Sequence, residues 1–356
     1  MKTAHRWLNL LLLFVPVAII LDLLHVSPLM IFIASALAIA PLASVLGEST
    51  GNLASHCGPA IGGILSATMG NFTEMIIAFF ALRAGHINVV KASLSGSIIG
   101  NLLLVLGLSL VAGGLRNSVQ RFSRTTSSMN TTTLMIAVAA LVMPAVFNLT
   151  LFGTLQHHDL NLENLSIWTS GVLIALYLLN MFFVFRTHRA SAAVQHPEEG
   201  AGRSSRTQAI VSLGLATLLI AGMSEILVGQ ITPVTHALGM TELFVGVIVV
   251  ALVGNAAENS TAVIMARRNR MDVSMSIATG ASTQIALFVA PVLVFLSVAI
   301  GHPMTLVFNG FEIAAIVLSV LIVEMISSDG ETNWFEGAQL LAVYAIVAVA
   351  FYFVPE

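Results

Sequence analysis

Two pentapeptides carry the residues best suited to chemistry: Gly70-Asn71-Phe72-Thr73-Glu74 and Gly254-Asn255-Ala256-Ala257-Glu258. Each lies inside an apolar run long enough to cross a bilayer, so both Glu side chains are expected at membrane depth. A charge there costs about 2.5–3.5 kcal/mol on insertion scales, and ionisable residues so placed mark ion and proton pathways. On a helix, Asn and Glu three apart share a face, and a Gly four before the Glu leaves room beside it. Two facing carboxylates, Glu74 and Glu258, would offer hard oxygen ligands to Ca²⁺ or a similar divalent ion. With the ion gone, like charges in low dielectric repel, and such a pair takes up protons in its place. Exchange of protons for a cation follows from those electrostatics. Asn71 and Asn255 can add amide oxygens, orient the carboxylates, or act as interhelical hydrogen-bonding groups. Gly70 and Gly254 can expose backbone carbonyls or permit close helix packing.

The spans after the motifs hold further polar side chains: Ser95, Ser97 and Asn101 in one, Thr279, Ser282, Thr283 and Gln284 in the other. Of these, Ser97, Asn101, Ser282 and Gln284 are expected as a polar group around the central pair. Gly96 and Gly100 form a small-residue packing frame. Glu48, ending the second span, and Glu225, near the outer end of the seventh, would stand at opposite mouths as entry or relay acids. Glu312, inside the tenth span, is a further relay candidate, whereas Glu324 reads as interfacial. His157 and His158 fall on an outer loop and read as solvated.

The elements that must position these groups are membrane helices. The 356 residues are 57% hydrophobic and only 9% charged, against about 25% charged in soluble domains. Cys57 is the single cysteine, so no intrachain disulfide forms. Runs of about 20 apolar residues lie near 6–25, 28–47, 59–83, 92–114, 131–151, 166–186, 207–229, 240–266, 274–299, 304–326 and 337–354. The expected fold is therefore an all-α polytopic membrane protein with eleven transmembrane helices. Eleven spans place Lys2, Arg6, Arg116, Arg121, Arg124, Arg186, Arg189, Arg203, Arg206, Arg267, Arg268 and Arg270 on the side of the N-terminus. Only Arg83 and Lys91 fall opposite. The positive-inside rule then puts the N-terminus in the cytoplasm and the C-terminus outside. A shift of 184 residues superposes Gly70, Asn71 and Glu74 on Gly254, Asn255 and Glu258, and Arg83 on Arg267. The copies are five spans apart, an odd number, so the second must run inverted through the membrane, a design known in transporters. The division is 1–27 as an N-terminal transmembrane helix, 28–186 as the first five-helix repeat, 187–206 as a cytoplasmic linker and 207–356 as the second five-helix repeat.

On these motifs the chain resembles the calcium/proton antiporters of the cation/proton exchanger (CAX) family, within the cation/calcium exchanger superfamily. The resemblance covers nearly the whole length and includes Ser95 to Gly107, Gln284 to Pro291, and Ile326 to Glu331. It implies export of cytosolic Ca²⁺ driven by inward proton movement, with Glu74 and Glu258 as the Ca²⁺/H⁺ carboxylates. It also implies alternating access, with spans 28–47 and 207–229 rocking as gates. The chain departs from the family pattern at Phe72, where a small residue is usual, and at Asn259, where His is common. The partners expected are Ca²⁺, protons and the lipid bilayer, with no cofactor and no nucleic acid. A prokaryotic plasma membrane is the expected location. The alternatives are a sodium/calcium exchanger, whose repeats resemble Gly-Ser-x-x-Pro-Glu, and a proton-coupled carrier of Na⁺, K⁺ or Mn²⁺. No assembled acid–base set suggests an enzyme.

Overall fold

The computed structural model describes residues 10–57, 59–153, 155, 160–187 and 205–354. Among them the helices are α1 (Phe14–Leu23), α2 (Pro28–His56), α3 (Pro59–Met69), α4 (Phe72–Arg83), α5 (Ile87–Gly114), α6 (Arg124–Phe152) and α7 (Leu160–Thr187). There follow α8 (Arg206–Gly229), α9 (Ile231–Leu238), α10 (Glu242–Gly254), α11 (Ala256–Arg267), α12 (Met271–Ile300), α13 (Gly310–Ser327) and α14 (Trp334–Phe353). Eight of these are long and apolar enough to cross a bilayer. The count reaches ten if each of two bent pairs is one span: α3 with α4, at 46°, and α9 with α10, at 116°. The chain is an integral membrane protein. The start of the predicted first span, His157, His158, and 188–204 of the predicted linker lie outside the described residues.

Two compact units form. The first takes the described residues of 10–90 and 205–257. In it α2 packs on α8 and α3, and α8 on α4, burying Ile39, Leu42 and Leu46 with Ile77, Leu82, Ile220 and Leu227. The second span was expected to end at Glu48, yet α2 runs on to His56. Several polar side chains of its second half are satisfied on the helix's own backbone or on α8. Thr50 Oγ1 donates to Leu46 O at 2.8 Å, Ser55 Oγ to Asn52 O at 2.8 Å, and Ser49 Oγ reaches Ser212 Oγ on α8 at 2.8 Å.

The second unit takes 91–187 and 258–354 in its described residues. Here α5 packs on α14 and α12, while α6 packs on α12 and α13. Glycine sets the closeness of the first contact: a methyl on Gly337 would lie 2.7 Å from Gly107 O, and one on Gly114 2.6 Å from Trp334 N. A short antiparallel pair, β1 (Gln120–Arg121) with β2 (Glu331–Thr332), closes one end. Capping boxes start α13 (Asn309 with Glu312) and α14 (Asn333 with Glu336), satisfying backbone N–H groups that a helix start leaves open.

The 184-residue offset of the sequence recurs in the backbone. It carries Phe72–Arg83 onto Ala256–Arg267 and the start of α5 at Ile87 onto the start of α12 at Met271. It also carries left-handed Gly85 (φ 84°) onto left-handed Asn269 (φ 58°). Inside α5 and α12 the π-helical stretches Gly100–Val105 and Ile285–Val289 end at matching positions.

Candidate cation site

Both motifs break a membrane helix at the same place. Asn71 (φ −93°, ψ 19°) and Asn255 (φ −100°, ψ 8°) occupy the bridge region between helix and extended backbone, where active-site residues often sit. A new helix begins with the next residue, so Glu74 and Glu258 are each third in a helix, α4 and α11. That position faces the N-terminal N–H groups, which favour a carboxylate. The sequence reading expected these residues within continuous spans. The apolar run is indeed continuous, and only Gly and Asn, both poor helix formers, mark the interruption. A break of this kind releases backbone carbonyls from the helical ladder at membrane depth.

In the first unit, Asn71 and Glu74 are 3% exposed and Asn255 is 4% exposed. The Asn255 amide donates to Ala251 O at 3.0 Å. Gly254 lies directly beside Glu74: a methyl built on it would come 3.5 Å from Glu74 Cβ, ordinary contact distance. The space beside Gly254 is thus filled by the stem of the other motif's Glu side chain. Gly70 ends its turn with its N–H donating to Ser66 O at 3.0 Å.

In the second unit, Glu258 is half-buried, and its Oε2 is buried with no hydrogen-bond partner. A buried lone carboxylate oxygen is costly unless something binds it. Ser97, Asn101 and Ser282 are buried there. Asn101 lies in the π-helical stretch of α5, which packs on α12, and Gln284 directly precedes that of α12. The Asn101 amide nitrogen is buried without a partner, whereas Ser282 Oγ donates to Ala278 O at 2.9 Å. π-helical turns inside α-helices are frequent at functional sites.

The remaining acids separate sharply. Glu48 and Glu225 are exposed on α2 and α8. Glu312, 3% exposed, has both oxygens engaged: Oε1 accepts from Ser95 Oγ at 2.6 Å and Oε2 from Asn309 N at 2.9 Å. Sequence reasoning passed over Lys91 as a loop residue. It lies in α5, and its Nζ donates to Val307 O at 2.9 Å and Thr305 Oγ1 at 3.2 Å. Its four-residue spacing from Ser95 was the available signal, since the pair shares one helix face.

Carboxylates at broken membrane helices define an ion transporter. The sodium/calcium exchanger protein family matches residues 27–186 and 208–353, and the chain belongs to that family, in the CAX group that its motifs resemble. It is 44% identical to the Ca(2+)/H(+) antiporter of Synechocystis sp., covering 100% of this chain and 99% of that one. It is 43% identical to the Ca(2+)/H(+) antiporter ChaA of Bacillus subtilis, over 95% and 96% of the two chains. The structure of native YfkE superposes with a TM-score of 0.85 at 40% identity, covering 98% of this chain and 100% of that one.

Proposed function

We propose that this chain is a proton-coupled antiporter that exports cytosolic Ca²⁺ in exchange for H⁺, with Glu74 and Glu258 holding the ion and the protons in turn. The observation that carries this reading is the duplicated break: two motifs with the same backbone conformation, each putting Glu third in a new helix, and Gly254 of one against Glu74 of the other. The names of the relatives, Ca(2+)/H(+) antiporters at 43–44% identity, support the same pair of ions. Asn71 and Asn255 supply or steer oxygen ligands, and the breaks at Gly70 and Gly254 supply carbonyls. Ser97, Asn101, Ser282 and Gln284 form the surrounding polar group. Ca²⁺ takes six to eight oxygens, so two carboxylates need these neutral partners. When Ca²⁺ leaves, protons neutralise the carboxylates, and the neutral site can reorient across the membrane.

The layout we propose is eleven spans, one helix followed by two inverted five-helix repeats, with the N-terminus in the cytoplasm of a prokaryotic cell. Twelve Lys and Arg assigned to one side against two to the other support the orientation. The shared 184-residue offset of helix starts, left-handed caps and π-helical stretches supports the duplication. Spans 28–47 and 207–229 act as the moving gates.

Reconstituted protein tests the reading. A pH gradient imposed on Ca²⁺-loaded proteoliposomes is expected to drive Ca²⁺ movement opposite to protons, and a sodium gradient alone is expected to drive none. Sodium-driven movement without a pH effect would replace this reading with sodium/calcium exchange.

A further inference from the structure

In the first unit, His86 Nδ1 donates to Glu242 Oε1 at 3.0 Å, joining residues 156 apart in sequence. The two side chains are 20% and 28% exposed, reachable by solvent protons yet largely packed. Each partner follows a glycine hinge. Gly85 (φ 84°) separates α4 from α5 and immediately precedes His86. Gly239 (φ 63°) ends α9, and Glu242 opens α10 beyond the 116° bend. Beyond those hinges, α4 leads back to Glu74 and α10 leads forward to Gly254 and Asn255. The second copy lacks the device: the offset puts Arg270 in the place of His86, and Gly58 in that of Glu242.

We propose that His86 and Glu242 form a proton-operated clip across these two hinges, tight when the imidazole is charged and slack when it is neutral. Histidine is the side chain that changes charge between about pH 5 and 8. A charge-assisted contact is roughly twice as strong as a neutral one. The other ionisable groups on the elements packed here are Glu74 and Arg83 on α4, Lys91 on α5, Arg206 and Glu225 on α8, His236 on α9, and Glu48 and His56 in the second half of α2. Arg83, Glu225 and His236 are exposed, and Glu242 is the ion-pair partner of His86 among the described residues. The inference rests on the antiport reading and its orientation, which put the clip on the face from which protons enter. A tight clip resists hinge motion, so acid on that face restrains turnover while it raises the driving force.

The test uses full-length protein in proteoliposomes, with pH varied on that face alone. Dividing each variant rate by the wild-type rate cancels the driving force. His86→Gln and Glu242→Gln are each expected to run about two- to fivefold faster than wild type at pH 5.5, the size of a partly exposed pair. They should match it at pH 8.5, and the double variant should gain nothing further. Spin labels at Ala84→Cys and Met240→Cys, in a Cys57→Ser background, should show a distance distribution that narrows at pH 5.5 and stays broad with His86→Gln. Rate ratios that are flat across pH, or that follow the opposite face, overturn the proposal. So does a label distance indifferent to pH. The label experiment needs no transport, so a failure of proton-driven flux in wild type would count against the antiport reading and leave the clip to be judged separately.

Discussion

The two motif copies, 59–114 and 242–300, agree in backbone and differ in what surrounds it. Both break at Asn, start a helix with Glu third, follow it with a left-handed residue two before the start of the next helix, and insert a π-helical stretch. Yet Glu74 is 3% exposed while Glu258 is only half-buried. The first copy ends in glycine contacts at Gly107 and Gly114, where the second has Pro291 and Val298, the latter 48% exposed. His86 and Lys91 have the counterparts Arg270 and Met275. Backbone is therefore kept at the motif breaks, and side chains have diverged at the helix ends. A duplicated backbone can thus keep its break while its helix ends diverge.

The largest expected effect tests the shared part. Glu74→Gln and Glu258→Gln should each abolish Ca²⁺ flux, exceeding the roughly 10–100-fold loss typical when a group supporting a ligand is removed. Flux in proteoliposomes checks this, with size-exclusion profiles as the folding control, and an effect at one site only would break the equivalence of the copies. Next is Gly254, whose added methyl meets Glu74 Cβ at 3.5 Å. Gly254→Ala should keep transport within about threefold, whereas Gly254→Leu should lower it about tenfold or more by displacing the carboxylate.

The diverged ends give smaller effects. Gly114→Val should destabilise the protein by about 1–3 kcal/mol, because its side chain would enter the Trp334 backbone. Val298→Ala in the second copy should stay within about 0.5 kcal/mol, as for other exposed positions. Thermal melting in detergent compares the two. Smallest is the left-handed cap. Exchanging Gly85→Asn and Asn269→Gly should each change stability by less than about 1 kcal/mol, whereas Gly85→Val should cost about 1–2 kcal/mol.

Much of this was legible in the sequence. Hydropathy located the eight long spans, although the expected end of α2 at 47 fell well short of His56, and the paired Gly-Asn-x-x-Glu frame gave the candidate carboxylates. The breaks at Asn71 and Asn255 were not, because an apolar run reads as one span whether or not its backbone bends inside it. The continuation of α2 past Glu48 was hidden by polar side chains that fold back on their own helix. Glu312 read as a lone membrane acid, although Asn309-Gly-Phe-Glu312 carries the spacing of a capping box, as does Asn333-Trp-Phe-Glu336. The His86–Glu242 contact joins residues too far apart for any local pattern to show.

The most direct test of the central claim is to count protons released when Ca²⁺ is added to purified, weakly buffered protein near neutral pH. Wild type should release protons in proportion to Ca²⁺ bound, and Glu74→Gln and Glu258→Gln should each lose both binding and release. Ca²⁺ binding with undiminished proton release in the double variant would contradict the assignment of these carboxylates.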